Sequence, residues 1–177
     1  MKKANFIATV RNLMKKEYFT TSPSQTKKLG EILAKDILRT QLKKRAPKGP
    51  LLQKRGPTGQ AFVIGLLGDL GGGKTTFLQG FAKGLGIKEK ITSPTFVIMK
   101  KFGIKNPNFK IFCHIDCYRT KKAAEISDLG FKEIISSNRN IVAVEWADKI
   151  KKILPDDAAI LKFEFINEKT RKIIADF

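Results

Sequence analysis

This chain of 177 residues predicts an α/β fold with helices over both faces of a central sheet. Two observations carry that expectation. Nearly continuous apolar runs at 61–67 (AFVIGLL) and 141–144 (IVAV) suit strands buried on both faces, which helices must then cover on each side. The first run passes directly into a glycine-rich turn and then a helix whose apolar residues, Phe77, Leu78, Phe81, Ala82 and Leu85, are helically spaced. A hydrophobic content of 42% at this length supports one core and leaves little room for a second large domain. One domain over 17–177 is therefore expected, preceded by a basic extension at 1–16.

Within the extension, Lys2, Lys3, Arg11, Lys15 and Lys16 accompany Phe6, Ile7, Val10, Leu13 and Met14 at helical spacing, a short basic amphipathic helix. It lacks the apolar core and small-residue cleavage site of a secretory signal. A short strand is expected at 17–20. Ser22-Pro23-Ser24-Gln25 then supplies a capping serine, a proline at the first helical position and a glutamine three residues after the cap. The helix it opens carries a stripe of Leu29, Ile32, Leu33 and Ile37 and is expected to end near Leu38. Residues 39–60 hold seven basic residues, three prolines, three glycines and no acid, which reads as a basic flexible insertion. After the strand at 61–67 and its helix, closed by Gly84 and Gly86, the β-rich stretches 96–102 and 109–118 flank Asn106-Pro107-Asn108 as a hairpin. Short helical segments at 121–128 and 131–136, the buried strand at 141–144, and a closing hairpin of 159–166 with 171–175 complete the order.

The charge of +19, from 35 Lys+Arg against 16 Asp+Glu, creates a field that attracts phosphate-bearing partners. No apolar run approaches the roughly 18 residues that cross a bilayer, so no membrane partner is expected and the cytoplasm is the expected location. On a strand, Cys113 and Cys117 would sit on one face about 13 Å apart at about 3.3 Å per residue, too far for a disulfide. Three potential ligands on one short strand, Cys113, His114 and Cys117, cannot converge on a tetrahedral zinc, so they read as packing residues.

The chemistry concentrates in Gly68-Asp69-Leu70-Gly71-Gly72-Gly73-Lys74-Thr75, followed by Thr76. This fits G-x-x-x-x-G-K-[ST] and lies between a buried strand and a helix, where a phosphate-binding P-loop must lie. The glycines let successive N–H groups turn inward, so loop and helix N-terminus form a cradle for phosphate oxygens. Lys74 can reach the β- and γ-phosphates, and the Thr75 hydroxyl can ligate Mg²⁺. Ile141-Val142-Ala143-Val144-Glu145 has the form of a Walker B strand, apolar along its length and ending in a carboxylate at the sheet's carboxyl edge. Glu145 stands where most such strands carry Asp. Asp116, ending another apolar stretch, is a candidate second carboxylate for Mg²⁺. Ser93-Pro94-Thr95 offers hydroxyls for a γ-phosphate switch or for ordinary turn hydrogen bonds, and the residues alone favour the turn.

Several motifs occur in one order: Ser22-Pro23-Ser24-Gln25-Thr26, Leu29-Gly30, GDLGGGKTTF at 68–77, GFAKGLGI at 80–87, TSPTF at 92–96, HIDCYR at 114–119 and VEWAD at 144–148. Together they resemble the TsaE (YjeE) family of bacterial tRNA threonylcarbamoyladenosine synthesis over about residues 18–171. The resemblance implies a single-domain P-loop ATPase with a mixed sheet, acting with TsaB and TsaD so that ATP turnover supports threonylcarbamoyl transfer to an adenosine of the tRNA anticodon loop. It implies that Thr75, Asp116 and Glu145 surround Mg²⁺, with Lys74, Asp116 and Glu145 catalytic. It further implies that Ser93 to Thr95 form a switch, that Trp146 packs beside the site, and that Ser22 to Ser24 and Arg171 lie near the base and ribose. The insertion at 39–60 and the extension at 1–16 depart from the family pattern and leave the partner surface open.

Two other functions compete. A small-molecule kinase needs arginines around a second phosphate and a closing lid, and Arg119, Arg139 and Arg171 are few for that purpose. A basic RNA-binding module would contact tRNA phosphates through the charged segments, because no stacking-aromatic motif of the RNA-recognition type occurs.

Overall fold

The computed structural model describes residues 16–43, 59–92 and 97–176. The basic extension and its expected helix, all but the ends of the insertion, and Ser93, Pro94 and Thr95 lie outside the described residues, apart from Lys16, which begins the first strand.

In chain order the elements are β1 (Lys16–Thr20), α1 (Pro23–Lys43), β2 (Phe62–Leu67), α2 (Lys74–Gly84), β3 (Met99–Gly103), β4 (Ile111–Asp116), α3 (Ala123–Asp128), α4 (Phe131–Ile135), β5 (Asn140–Glu145), a 3₁₀ segment (Ala147–Ile153), β6 (Ala159–Phe165) and β7 (Arg171–Asp176). Among the described residues the strands form one sheet in the order β1-β7-β6-β2-β5-β4-β3. The centre is parallel, with β2 between β6 and β5 and β4 beyond β5. Antiparallel pairs β7–β6, β1–β7 and β3–β4 flank it, which makes the sheet mixed.

Alternation along the buried strands assigns each face its own core. Ile64 and Leu66 of β2, Phe112 of β4, Ile141 and Ala143 of β5 and Phe163 of β6 pack under α1 and α2. Val63, Cys113, Ile115, Val142 and Val144 face the other way, against Ile126, Phe131 and Ile134 of α3 and α4 and Ala147 and Ile150 of the 3₁₀ segment. The sheet is thus covered on both faces, as its continuous apolar strands require.

The α1 cap forms as the sequence suggests. The Gln25 N–H donates to Ser22 Oγ at 3.2 Å, while Gln25 Oε1 accepts from the Thr21 N–H at 2.8 Å. The helix runs past Leu38 to Lys43, so the first residues of the basic insertion continue α1. Arg39 lies within reach of Asp36 one turn back, and Thr40, Gln41 and Leu42 contain no helix breaker. Cys113 and Cys117 are free, fully buried and on the same face, while the strand itself ends at Asp116.

Candidate phosphate and metal site

The glycine loop owes its shape to backbone angles that side chains resist. Gly68, Gly71 and Gly73 take φ of 122°, 74° and 96°, and Gly73 caps α2. A Cβ on Gly68 would lie 2.1 Å from the Phe163 carbonyl oxygen, so the loop can lie against β6 only without a side chain there. The Gly72 N–H donates to the Asp69 carbonyl at 3.1 Å and tightens the turn. Among the other loop positions, Asp69 is exposed and Leu70 is 66% exposed, whereas Lys74 is buried.

Lys74 stands at the first turn of α2, and its Nζ donates to the carbonyl oxygens of Gly68 at 2.5 Å and Asp69 at 2.8 Å. The same ammonium lies 4.1 Å from the centroid of the Trp146 ring. Burial lowers its pKa, and the carboxylates of Glu145, Asp116, Asp69 and Asp148 act in the opposite sense. Trp146 holds this position with φ 57° and ψ 44°, the left-handed region, and is the one non-glycine residue with positive φ among the described residues. The Trp146 ring also neighbours Tyr118, the ring centroids 5.2 Å apart.

Thr75, the next residue of α2, brings the helix and the sheet edge together. Its hydroxyl lies 3.0 Å from Glu145 Oε1 and 2.9 Å from Oε2. Asp116 ends β4 directly opposite Glu145 in the parallel register, so both carboxylates leave the same edge on the same face. Asp116 Oδ1 also accepts the Tyr118 N–H at 3.0 Å. A further partner escapes sequence reading: Nε2 of the fully buried His114 lies 2.9 Å from Glu145 Oε1. His114 precedes Asp116 by two residues and so shares its face, opposite to that of Cys113 and Cys117. The alternation of a strand was the available clue to that face, but the identity of the partner was not legible.

Beside the loop opens a shallow pocket lined by Ser22, Thr26, Gly71, Gly73, Thr76 and Arg171. Arg171 reaches it from β7, its Nε donating to the Gly71 carbonyl at 2.8 Å and its guanidinium lying 4.5 Å from the Phe165 ring. Thr26, also on its wall, makes a hydroxyl–hydroxyl contact with Thr20 at 2.8 Å. Ser22 and Arg171, far apart in sequence, therefore meet next to the P-loop. Thr26, which closes the first of the ordered motifs, is a lining residue to which the sequence assigned no role.

The donor set fits a hard divalent cation held jointly with a ligand. A threonine hydroxyl and Glu145 are already in contact, with Asp116 at the neighbouring strand end. Magnesium takes oxygen ligands and commonly only one or two carboxylates, the rest coming from water and phosphate. Among the described residues no group of three or more His, Cys, Asp or Glu could hold a metal unaided. The pair at Thr75 and Glu145 is thus suited to a metal that arrives with phosphate oxygens.

A glycine loop between a buried parallel strand and a helix N-terminus, with its lysine under an aromatic ring and its threonine on the carboxylate that ends a second buried strand, defines a P-loop α/β protein. The family described as "Threonylcarbamoyl adenosine biosynthesis protein TsaE" matches residues 20–173, and the chain belongs to that family. Proteins named "tRNA threonylcarbamoyladenosine biosynthesis protein TsaE" are 39% identical over 111 residues in Bacillus subtilis (strain 168), covering 63% of this chain and 66% of that one. The corresponding figures in Borreliella burgdorferi are 42% over 101 residues, covering 57% and 69%. The matched segment thus spans about two thirds of these relatives' length. The crystal structure of Bacillus subtilis YdiB superposes with a TM-score of 0.65 at 26% identity, covering 93% of this chain and 86% of that one. Among the described residues no helix is long and apolar enough to cross a membrane.

Proposed function

We propose that this chain binds ATP with Mg²⁺ and hydrolyses it as a component of the tRNA threonylcarbamoyladenosine machinery, coupling turnover to a TsaB–TsaD transferase complex in the cytoplasm. The observation that carries the reading is the contact of the Thr75 hydroxyl with both oxygens of Glu145, one residue beyond a buried Lys74. Phosphates lying along the loop would receive the N–H groups at the start of α2 and draw Lys74 Nζ away from the carbonyls of Gly68 and Asp69. A magnesium ion held here would supply positive charge against the charge that grows during phosphoryl transfer. Thr75 and Glu145 would hold it, with Asp116 as the second carboxylate at the sheet edge. Glu145 or Asp116 would orient the attacking water, and Lys74 would meet the charge building on the transferred group. The ribose and base would lie in the pocket of Ser22, Thr26, Thr76 and Arg171 beside the loop. Ser93 and Thr95, as the phosphate switch, and the basic segments, as indirect contacts to tRNA, remain part of the proposal through the family resemblance.

The test is ATP hydrolysis by the full chain, alone and with a TsaB–TsaD complex. Partner-stimulated turnover that falls about 100-fold or more in Lys74→Ala and Glu145→Ala is the expected result, the magnitude typical of removing one preorganised charge-stabilising group. Full activity in either variant removes that residue's role. Tight ATP binding without turnover under both conditions would replace the ATPase reading with a nucleotide-gated binding module.

A further inference from the structure

His114 is the only histidine in the chain and is completely buried, yet it does not fill its place as an apolar side chain would. Its ring stacks on Phe112 with centroids 6.5 Å apart and planes within 11°. Nδ1 is buried with no hydrogen-bond partner, which a phenylalanine at the same position would avoid. Nε2 makes one contact, 2.9 Å from Glu145 Oε1, across the β4–β5 pair. With Glu145 as a carboxylate, which only accepts, the contact is a hydrogen bond when Nε2 carries the proton. The same Oε1 lies 3.0 Å from the Thr75 hydroxyl, and Oε2 lies 2.9 Å from it. Glu145 is thus held from below by a ring locked in the core and approached from above by the first turn of α2.

Resting on the proposed ATPase reading, we infer that His114 is a positioning residue for Glu145. Its Nε2–H fixes the carboxylate rotamer that presents both oxygens to Thr75, and so presets the half of the magnesium site that the protein supplies. Glutamate has one more side-chain torsion than the aspartate usual at this strand end, and freezing it needs an extra contact. His114 supplies that contact without touching the ligand.

Three measurements on the full chain test this. Long-range proton–nitrogen NMR of the ring without nucleotide reads the bond directly: a proton on Nε2 is expected, and a ring protonated on Nδ1 alone overturns the inference. Calorimetry of ATP binding with EDTA and with Mg²⁺ then compares His114→Phe, which keeps the stacked ring but lacks the donor, with His114→Gln, which restores an N–H of similar reach. The Phe variant should bind ATP unchanged in EDTA, need about tenfold more Mg²⁺ for half-saturation and lose about tenfold in kcat with little change in KM for ATP. The Gln variant should recover most of both losses. Wild-type magnesium dependence in the Phe variant, or equal losses in both, overturns the inference. Should the Phe variant not fold, His114→Leu takes its place in the comparison. If the wild-type chain neither binds nor hydrolyses ATP, the functional proposal fails, while the NMR spectrum still decides the His114–Glu145 bond.

Discussion

At the scale of single residues, the two thiols give a clean report on the core. Burial pushes both Cys113 and Cys117 up to about 12. In the unfolded chain such thiols ionise near pH 8.5. Their contribution to stability is therefore complete below that pH and is lost as pH rises from there toward 12, because the unfolded state releases the protons first. Native protein at pH 8 should leave both cysteines unlabelled by a thiol reagent over hours, with full labelling after urea unfolding. Rapid labelling of the native chain would mean that the second core opens locally. At this scale the P-loop was readable because its chemistry is written in eight consecutive residues, whereas the His114–Glu145 contact joins residues 31 apart and depends on strand register. Trp146 was expected beside the site, but nothing in a Glu-Trp-Ala run announces a left-handed tryptophan over the lysine.

At the scale of elements, the placement of α2 depends on how closely α1 can approach it. A Cβ on Gly80 would lie 1.8 Å from the Lys27 carbonyl oxygen, and one on Gly84 would lie 2.5 Å from that of Glu31. From the other side, a Cβ on Gly30 would lie 2.2 Å from the Phe77 carbonyl. The two helices meet backbone to backbone, and the Lys74–Thr75 turn sits at the end of that contact. Gly80→Ala should cost about 1–3 kcal/mol in urea unfolding and weaken nucleotide binding, because relieving the clash moves the helix that carries Lys74. Unchanged stability would show that the pair can separate freely. The helices themselves were legible from their apolar stripes, and so were both hairpins, whose strands pair as expected. The 3₁₀ segment at Ala147–Ile153 was not, since ADKIKKI has no clear period and a non-helical break at Ile150. Glycines that serve close packing also look the same in sequence as glycines that end a helix.

At the scale of the whole molecule, the expectation of one α/β sheet covered on both faces holds, because long apolar strands leave no other way to exclude water. The mixed character of the sheet was implied by the family resemblance and not by the periodicity of the strands, and it comes from the antiparallel flanks around a parallel centre. The charge of +19 is a property of the entire chain and predicts affinity for polyphosphates that does not depend on the P-loop. Transfer RNA binding by the full chain should fall at least about tenfold between 50 and 200 mM salt if two or more phosphates are neutralised. It should also be the same in Lys74→Ala. Binding that ignores salt, or that disappears with Lys74, would tie RNA contact to the nucleotide site instead of to the overall field.

The ring over Lys74 is also the chain's single tryptophan, so the protein carries one indole fluorophore placed against the group expected to move when phosphate arrives. Its emission is an optical gauge of that lysine, readable without label or partner. A change in intensity or wavelength on adding nucleotide should track occupancy of the loop and give its affinity in a simple titration. A spectrum that stays constant at saturation would mean that Lys74 keeps its place beneath the ring and that phosphate is held by the backbone amides alone.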